Sequence, residues 1–582
     1  MAMRKLPLVL LGALLILLPA FEEAAAQGQQ QRRNQPAPQT GPASLSGRYL
    51  AARVAEQGHD YDTAADQLDL ALAQLPSDRD LQYAAFRLRM YAGRFEQAAQ
   101  LAAQVAQHKP GDALANLVLA IQLIKKADYA RAEQQLARIG SENQLGPLND
   151  YVLAWLKAGQ KDFAAARTHL AKLKPAAGER AEAPALTIEA QIDELAGDRA
   201  TAEAKYRKAL ELDKGGLRTT VFAAEGLRRL GKVDEARTIL RTYGEKFSDT
   251  VIMDALVAPN APAPKPPSPA SGIAEILFDI GGIFGSDPRS NRGDLALIFQ
   301  LLAVELRPDH DFAWLMISGL QEQFQRPQKA IAALAKIGPT SPLFWQARLR
   351  TAALDAQEEK IDQAVTRLRA LVAEKPERID AALTLADLLR GKERWNDAIA
   401  AYNTAISRLK NVEERHWPIY FGRGIALERS KRWPDAEKDM KKALELSPEQ
   451  PYVLNYLGYS WIDQGLHLEE GMKMLKRATE LRPDDGAISD SVGWAYYRLG
   501  KYPEAVEWLE KAIEQKGDDA TIVEHLGDAY WHVGRQREAR FQWERALNQK
   551  PDKDRIPIIK DKLEKGLNPG NDKPTVYEKK GG

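Results

Sequence analysis

Stepping along the chain in units of about 34 residues lands on a small side chain again and again. The positions are Ala64, Ala98, Ala132, Ala166, Ala202 and Ala236, then Ala296, Ala330, Ala364, Ala398, Ala436, Gly471, Ala505 and Ala539. Thirteen of these fourteen are alanine, and a single 60-residue step separates the sixth from the seventh. A fixed period in this range means one supersecondary unit used repeatedly, each copy burying its apolar face on its neighbours. The expected fold is all-α: a solenoid of about fourteen helix-turn-helix units. Such a fold offers extended concave surfaces, which favours binding over catalysis.

The clearest copies read SVGWAYYRLGKYPEAVEWLEKAI from Ser491 to Ile513 and HLGDAYWHVGRQREARFQWERAL from His525 to Leu547. Each contains two apolar stripes at helical spacing, joined by a short turn carrying Gly500 or Gly534. Seven residues after the marker comes a further small residue, Ala443, Ala478, Ala512 or Ala546, as a close helix crossing requires. Pro448, Pro483 and Pro551 then end the second helix.

In these features the chain resembles the tetratricopeptide repeat, over nearly all of its length after residue 44. The small residue at the close contact of the family's first helix matches Gly424, Gly458, Gly493 and Gly527. Its later aromatic matches Trp461, Tyr496 and Tyr530. The resemblance implies that the repeats wind into a superhelix. Departures occur at Phe86, where a small residue is expected, and near Leu466-His467-Leu468, where one extra residue lengthens a turn.

Composition fits well-packed helix pairs with solvated outer faces: 45% hydrophobic, 28% charged. A formal net charge of +1 gives no bias toward nucleic acid or anionic membranes. Residues 1–26 read as a cleavable signal peptide, with Arg4 and Lys5, an apolar run from Leu6 to Ala20, and Ala24-x-Ala26 as the cut. The expected location is periplasmic. With no cysteine anywhere there is neither a disulfide framework nor a lipid-accepting residue for a lipoprotein anchor.

Residues 27–44 form a Gln- and Pro-rich tether with nothing to bury. A first array of six repeats and a partial helix is expected over 45–257, and a stiff Pro-rich linker over 258–270. A second array of eight repeats with a capping helix follows over 271–567, and 568–582 is expected to be a disordered tail. Few contacts are expected to cross the linker. Ile273 to Phe284 (IAEILFDIGGIF), the most apolar stretch after the signal, reads as a core helix of the seventh repeat.

No catalytic motif is present: no Gly-x-Ser-x-Gly, no His-Glu-x-x-His and no phosphate loop. Ser407 and Lys410 form a lone Ser-x-x-Lys pair with no oxyanion scaffold, so the chain reads as a non-enzyme without cofactors. Glu524, His525, Asp528 and His532 cluster in sequence, but polar lining of the solenoid explains them better than a metal site.

In the repeat family, certain first-helix positions face the groove, and the resemblance carries these onto three successive repeats. They give Asn455, Tyr459 and Ile462; then Asp490, Trp494 and Tyr497; then Glu524, Asp528 and Trp531. Together they would make a continuous aromatic and acidic strip, fit for partner binding. The bland alternative is that these aromatics fill space between adjacent first helices.

NYLGYSWIDQG (455–465), RPDDGAISDSVGWAYYRLGKYPEAV (482–506) and RGIALERSKRWPDAE (423–437) narrow the resemblance. They are similar to the long exported tetratricopeptide proteins of proteobacteria, which include the lipoprotein adaptor of the C-terminal processing protease. That resemblance implies protein partners: a periplasmic Ser-Lys protease and peptidoglycan hydrolases delivered to it. A structural subunit of a polysaccharide or envelope export assembly is the alternative. The missing lipid-accepting cysteine departs from the adaptor.

Overall fold

The computed structural model describes residues 44–139, 148–172, 179–247, 256–257, 263–285 and 292–567. The expected signal peptide, most of the tether, part of the linker and the tail lie outside them. The chain divides into two compact units, up to Glu358 and from Glu359.

The first unit opens with α1 (Leu45–Gln57) and α2 (Tyr61–Leu72), α3 (Arg79–Tyr91) and α4 (Phe95–His108), then α5 (Ala113–Lys125) and α6 (Tyr129–Leu136). Next come α7 (Leu148–Gly159) and α8 (Phe163–Ala171), α9 (Glu179–Leu195) and α10 (Arg199–Leu212), then α11 (Leu217–Arg229) and α12 (Val233–Phe247). It closes with α13 (Pro269–Gly285) and α14 (Gly293–Leu306), α15 (Asp311–Gln323) and α16 (Pro327–Leu334), and α17 (Phe344–Gln357).

The second unit holds α18 (Ile361–Glu374), α19 (Asp380–Gly391) and α20 (Trp395–Ser407), α21 (Trp417–Arg429) and α22 (Trp433–Leu446). It continues with α23 (Pro451–Asp463) and α24 (Leu468–Leu481), α25 (Gly486–Arg498) and α26 (Tyr502–Gln515), then α27 (Ala520–His532) and α28 (Gln536–Asn548). The last described helix is α29 (Arg555–Lys565). Odd-numbered helices up to α27 are the first helices of the repeats, and even-numbered ones the second. The fold is the all-α helix-pair architecture that the period implies.

Each of the fourteen markers is the fourth residue of an even-numbered helix. All thirteen marker alanines are fully buried, and Gly471 is buried with them. At Gly471 the second helix comes so close that a Cβ would press on the Gly458 carbonyl and the Ile462 side chain. That close approach is why the period selects small residues.

The turn between the helices of a pair repeats one backbone device, a single residue in the left-handed region. Glycine fills it at 93, 197, 231, 465, 500 and 534, while His59, Ala127, Lys161, Gln325, Glu359, Glu393 and Lys431 adopt it without glycine's freedom. After Gly465, the lengthened turn adds a second left-handed residue, His467. Aspartate caps many helices by accepting from the backbone: Asp60, Asp128, Asp162 and Asp198 before second helices, Asp112, Asp485 and Asp519 before first ones.

The expectation of few contacts across the Pro-rich segment is not met. Ile273 to Phe278 are six consecutive buried residues, so α13 is covered on every side. One side pairs with α14, and the other packs on α7 and α5, while α14 reaches α3 and α5. Residues from Ala52 to Ala333 share one apolar core as a result. Proline breaks the helix ladder along the chain, but it does not prevent the next helices from folding back through space.

Candidate functional site

The candidate strip lies on α23, α25 and α27, the first helices of three successive repeats. Residues three and four apart share a helix face, so each helix offers its own short column. Asn455, Tyr459, Trp494 and Trp531 are partly exposed, whereas Asp490, Tyr497, Glu524 and Asp528 are buried.

The centre of the strip is an aromatic stack. The Trp494 indole lies between Tyr497, with centroids 4.6 Å apart, and His525, at 3.9 Å. His525 Nδ1 sits 2.9 Å from Asp490 Oδ1, which fixes the imidazole against the indole. Burial works against charge on His525, but Asp490, Asp528 and Glu524 outweigh it and raise its pKa. Tyr497 Oη lies 3.1 Å from His532 Nε2, and His532 in turn stacks on Tyr502. On the neighbouring helix, burial and the nearby Asp463 and Asp490 carboxylates push the Tyr459 phenol up. Asn455 Oδ1 is buried with no hydrogen-bond partner among the described residues.

At the last repeat the expected continuity of the strip is corrected. Helix α29 covers α27, and the Lys562 ammonium reaches Glu524 Oε1 at 2.7 Å and Asp528 Oδ2 at 2.6 Å. Arg555 adds a second cation to Glu524. Burial alone would raise the Glu524 carboxyl, but Lys562 and Arg555 hold it below the usual carboxylate range. Burial keeps the Asp528 carboxyl raised despite Lys562, and its Oδ1 also accepts from the Trp543 indole at 2.8 Å. Trp531 packs between Trp543, Arg540 and the backbone at Gly566. Glu524, Asp528 and Trp531 thus hold α29, the last described helix of the same chain, because two buried carboxylates need cations nearby.

The same contacts account for the sequence cluster Glu524, His525, Asp528 and His532, whose groups point to Lys562, Asp490, Trp543 and Tyr497. Among the described residues no three His, Asp or Glu side chains are grouped to hold a metal ion. No helix among them is long and apolar enough to cross a membrane. Lys562 and Arg555 were missed by the reading of the sequence, although their seven-residue spacing puts both on one face of the expected capping helix.

Ring-stacked first helices, buried marker alanines and left-handed turns describe one known repeat. Models described as tetratricopeptide repeats match residues 89–148, 349–415, 383–451 and 421–486, and one described as a TPR repeat matches 493–534. Tetratricopeptide repeats are thus matched over residues 89–148, 349–486 and 493–534.

Among known proteins it is similar to a TPR repeat-containing protein of Pseudomonas aeruginosa, 29% identical over 196 residues, 34% of this chain and 32% of that one. It is also similar to a tetratricopeptide repeat-containing protein of Caenorhabditis elegans, 24% identical over 199 residues, 33% of this chain and 24% of that one. The chain thus spans about a third of the length of the first relative and a quarter of the second. Among solved structures, a tetratricopeptide repeat protein from Parabacteroides merdae aligns over 44% of this chain and 99% of its own, at 17% identity and a TM-score of 0.37. The hetero-tetramer Cut9-Hcn1 of the APC/C aligns over 94% of this chain and 99% of that one, at 15% identity and a TM-score of 0.36.

Proposed function

We propose that this tetratricopeptide protein is a non-catalytic adaptor of the bacterial periplasm, which holds a protein client along α23 and α25. In this reading it brings peptidoglycan hydrolases or other envelope clients to a processing protease of the Ser-Lys class. The similarity of residues 423–506 to exported tetratricopeptide adaptors supports the pathway, and the signal-like start supports the compartment.

The observation that carries the binding site is Asn455 Oδ1, buried and without a hydrogen-bond partner among the described residues. A desolvated acceptor costs about 1–3 kcal/mol while unmet, and a donor on a bound backbone would recover that. Tyr459, one turn along α23, and Trp494 on the next first helix are partly exposed rings that supply rigid aromatic area, which concentrates binding energy at interfaces. Co-purification from the envelope fraction is the test. Trp494→Ala and Asn455→Ala should each weaken capture of a hydrolase or protease, the tryptophan change by about 2 kcal/mol or more, with helicity retained. Lys501→Ala, at the exposed cap of α26, should leave capture unchanged. Wild-type capture by the double variant Asn455→Ala/Trp494→Ala would remove this strip as the site.

A further inference from the structure

Successive repeats of the second unit are joined by four residues at 447–450, 482–485 and 516–519, but nine, 408–416, separate α20 from α21. The longer connection is tied down at both ends. At its start the Arg408 guanidinium donates to the Arg378 and Val372 carbonyls, at 3.0 and 3.1 Å. At its end Glu413 and His416 close a reciprocal capping box around a single 3-10 turn. The Glu413 carboxylate accepts from the His416 backbone N–H, and His416 Nδ1 accepts from the Glu413 backbone N–H at 2.9 Å.

Glutamate or glutamine ordinarily holds the second place in such a box. Histidine there makes the box depend on a proton. A backbone N–H can only donate, so Nδ1 must present its lone pair, and the imidazole is neutral with its hydrogen on Nε2. A second proton would go to Nδ1, set two donors against each other and break the box.

The surroundings favour the neutral ring. His416 is buried, at 7% exposure. Burial and the Arg415 guanidinium lower its pKa, and Glu413 opposes them with a smaller effect. Arg415 is itself paired with Glu413, at 3.0 Å. The turn packs on α21 and α22. On those helices Arg423 is paired with Asp439, Lys441 with Glu437 and Lys442 with Glu445.

We propose that His416 is an acid-released latch: neutral, it pins residues 408–416 at the start of α21, and protonated, it lets the turn go. The next residue, Trp417, packs on Phe421, and Phe421 meets the Tyr456 ring of α23 edge-on at 5.8 Å. Release therefore loosens the start of a helix whose rings brace its neighbour. Because the folded state holds the neutral form, the latch is fully closed above the unfolded value of about 6.5. It opens as pH falls through the lower folded value. His525 titrates with the opposite sign and above that range, so the acid side separates the two.

Hydrogen exchange of the full chain, corrected for the intrinsic rate, is the test. Between about pH 7.5 and about pH 5, protection of the Glu413 and His416 amides should fall at least threefold. In His416→Asn, the amide oxygen stands where Nδ1 does and accepts the same bond without titrating. That variant should keep the protection seen at neutral pH and lose the fall. Protection that holds in acid in the wild-type protein, or an equal fall in the variant, overturns the proposal. The imidazole itself, followed by NMR in the wild-type protein, should titrate below about 6.5. A midpoint above that value overturns the latch whatever the variant does.

Discussion

The two units treat the faces of their first helices in opposite ways. In the first, that face is filled by an apolar helix pair from the same chain, sealed by Arg218, Lys125 and Tyr61 at its edges. In the second, the last described repeat is held by a helix whose grip is ionic: Lys562 and Arg555 on Glu524 and Asp528. An apolar contact holds chiefly through area removed from water, whereas a buried ionic one depends on every partner being present. The same repeat thus gives one face closed by an apolar helix pair and one with partly exposed rings along α23 and α25.

The largest expected effect falls on the ionic cap. Lys562→Ala leaves two buried carboxylates with one cation, and breaking such a set costs about 3–5 kcal/mol. Hydrogen exchange should show α27 to α29 loosening while α3 to α14 keep their protection. Loosening in the first unit instead would break the comparison.

A smaller loss is expected from Gly272→Val, which forces a side chain into the Trp155 indole. Overpacking of this kind costs about 1–3 kcal/mol, occasionally more. Gly282 on the same helix has open space around its Cβ, so Gly282→Ala should be neutral or stabilising by up to about 1 kcal/mol. Urea midpoints of the two variants would separate close approach from mere helix propensity. Equal midpoints would mean that α13 does not sit tightly on α7.

The smallest effect is the pH response of the second unit. The folded state raises the His525 pKa, so the stabilisation it contributes is complete below the unfolded value of about 6.5. It is lost as pH rises through the higher folded value. The urea midpoint of the second unit should drift down over that window, and Asp490→Asn should flatten the drift. A midpoint that climbs with pH would contradict the Asp490–His525 pairing.

What the sequence made legible follows from what repeats. Ala64 to Ala539 mark the buried crossing because the same steric demand recurs every turn of the solenoid, and repetition lifts it above noise. Asn455, Tyr459 and Trp494 could be put forward as candidates because the family's register carries over residue by residue. Neither Lys562 nor Arg218 recurs at the period, so nothing in a single chain set them apart from the other surface cations. The fold-back of α13 did leave a trace: Ile273 to Phe278 is apolar on all sides apart from Glu275, more than one pairing can cover. The proline-rich segment before it suggested separation, and through-space packing overrode that suggestion.

The seal between Tyr61 and Asp294 spans 233 residues of chain. Repeat proteins ordinarily acquire each unit as it emerges, since every contact is to an immediate neighbour. Here the ribosome, working at about 5–20 residues per second, needs roughly 12–47 s after making Tyr61 to deliver its partner. Through that interval the faces of α3, α5 and α7 that α13 and α14 will cover stay exposed, with long-range contact as the slow step. The first unit is therefore expected to complete its packing late in synthesis, whereas the second can assemble as it arrives.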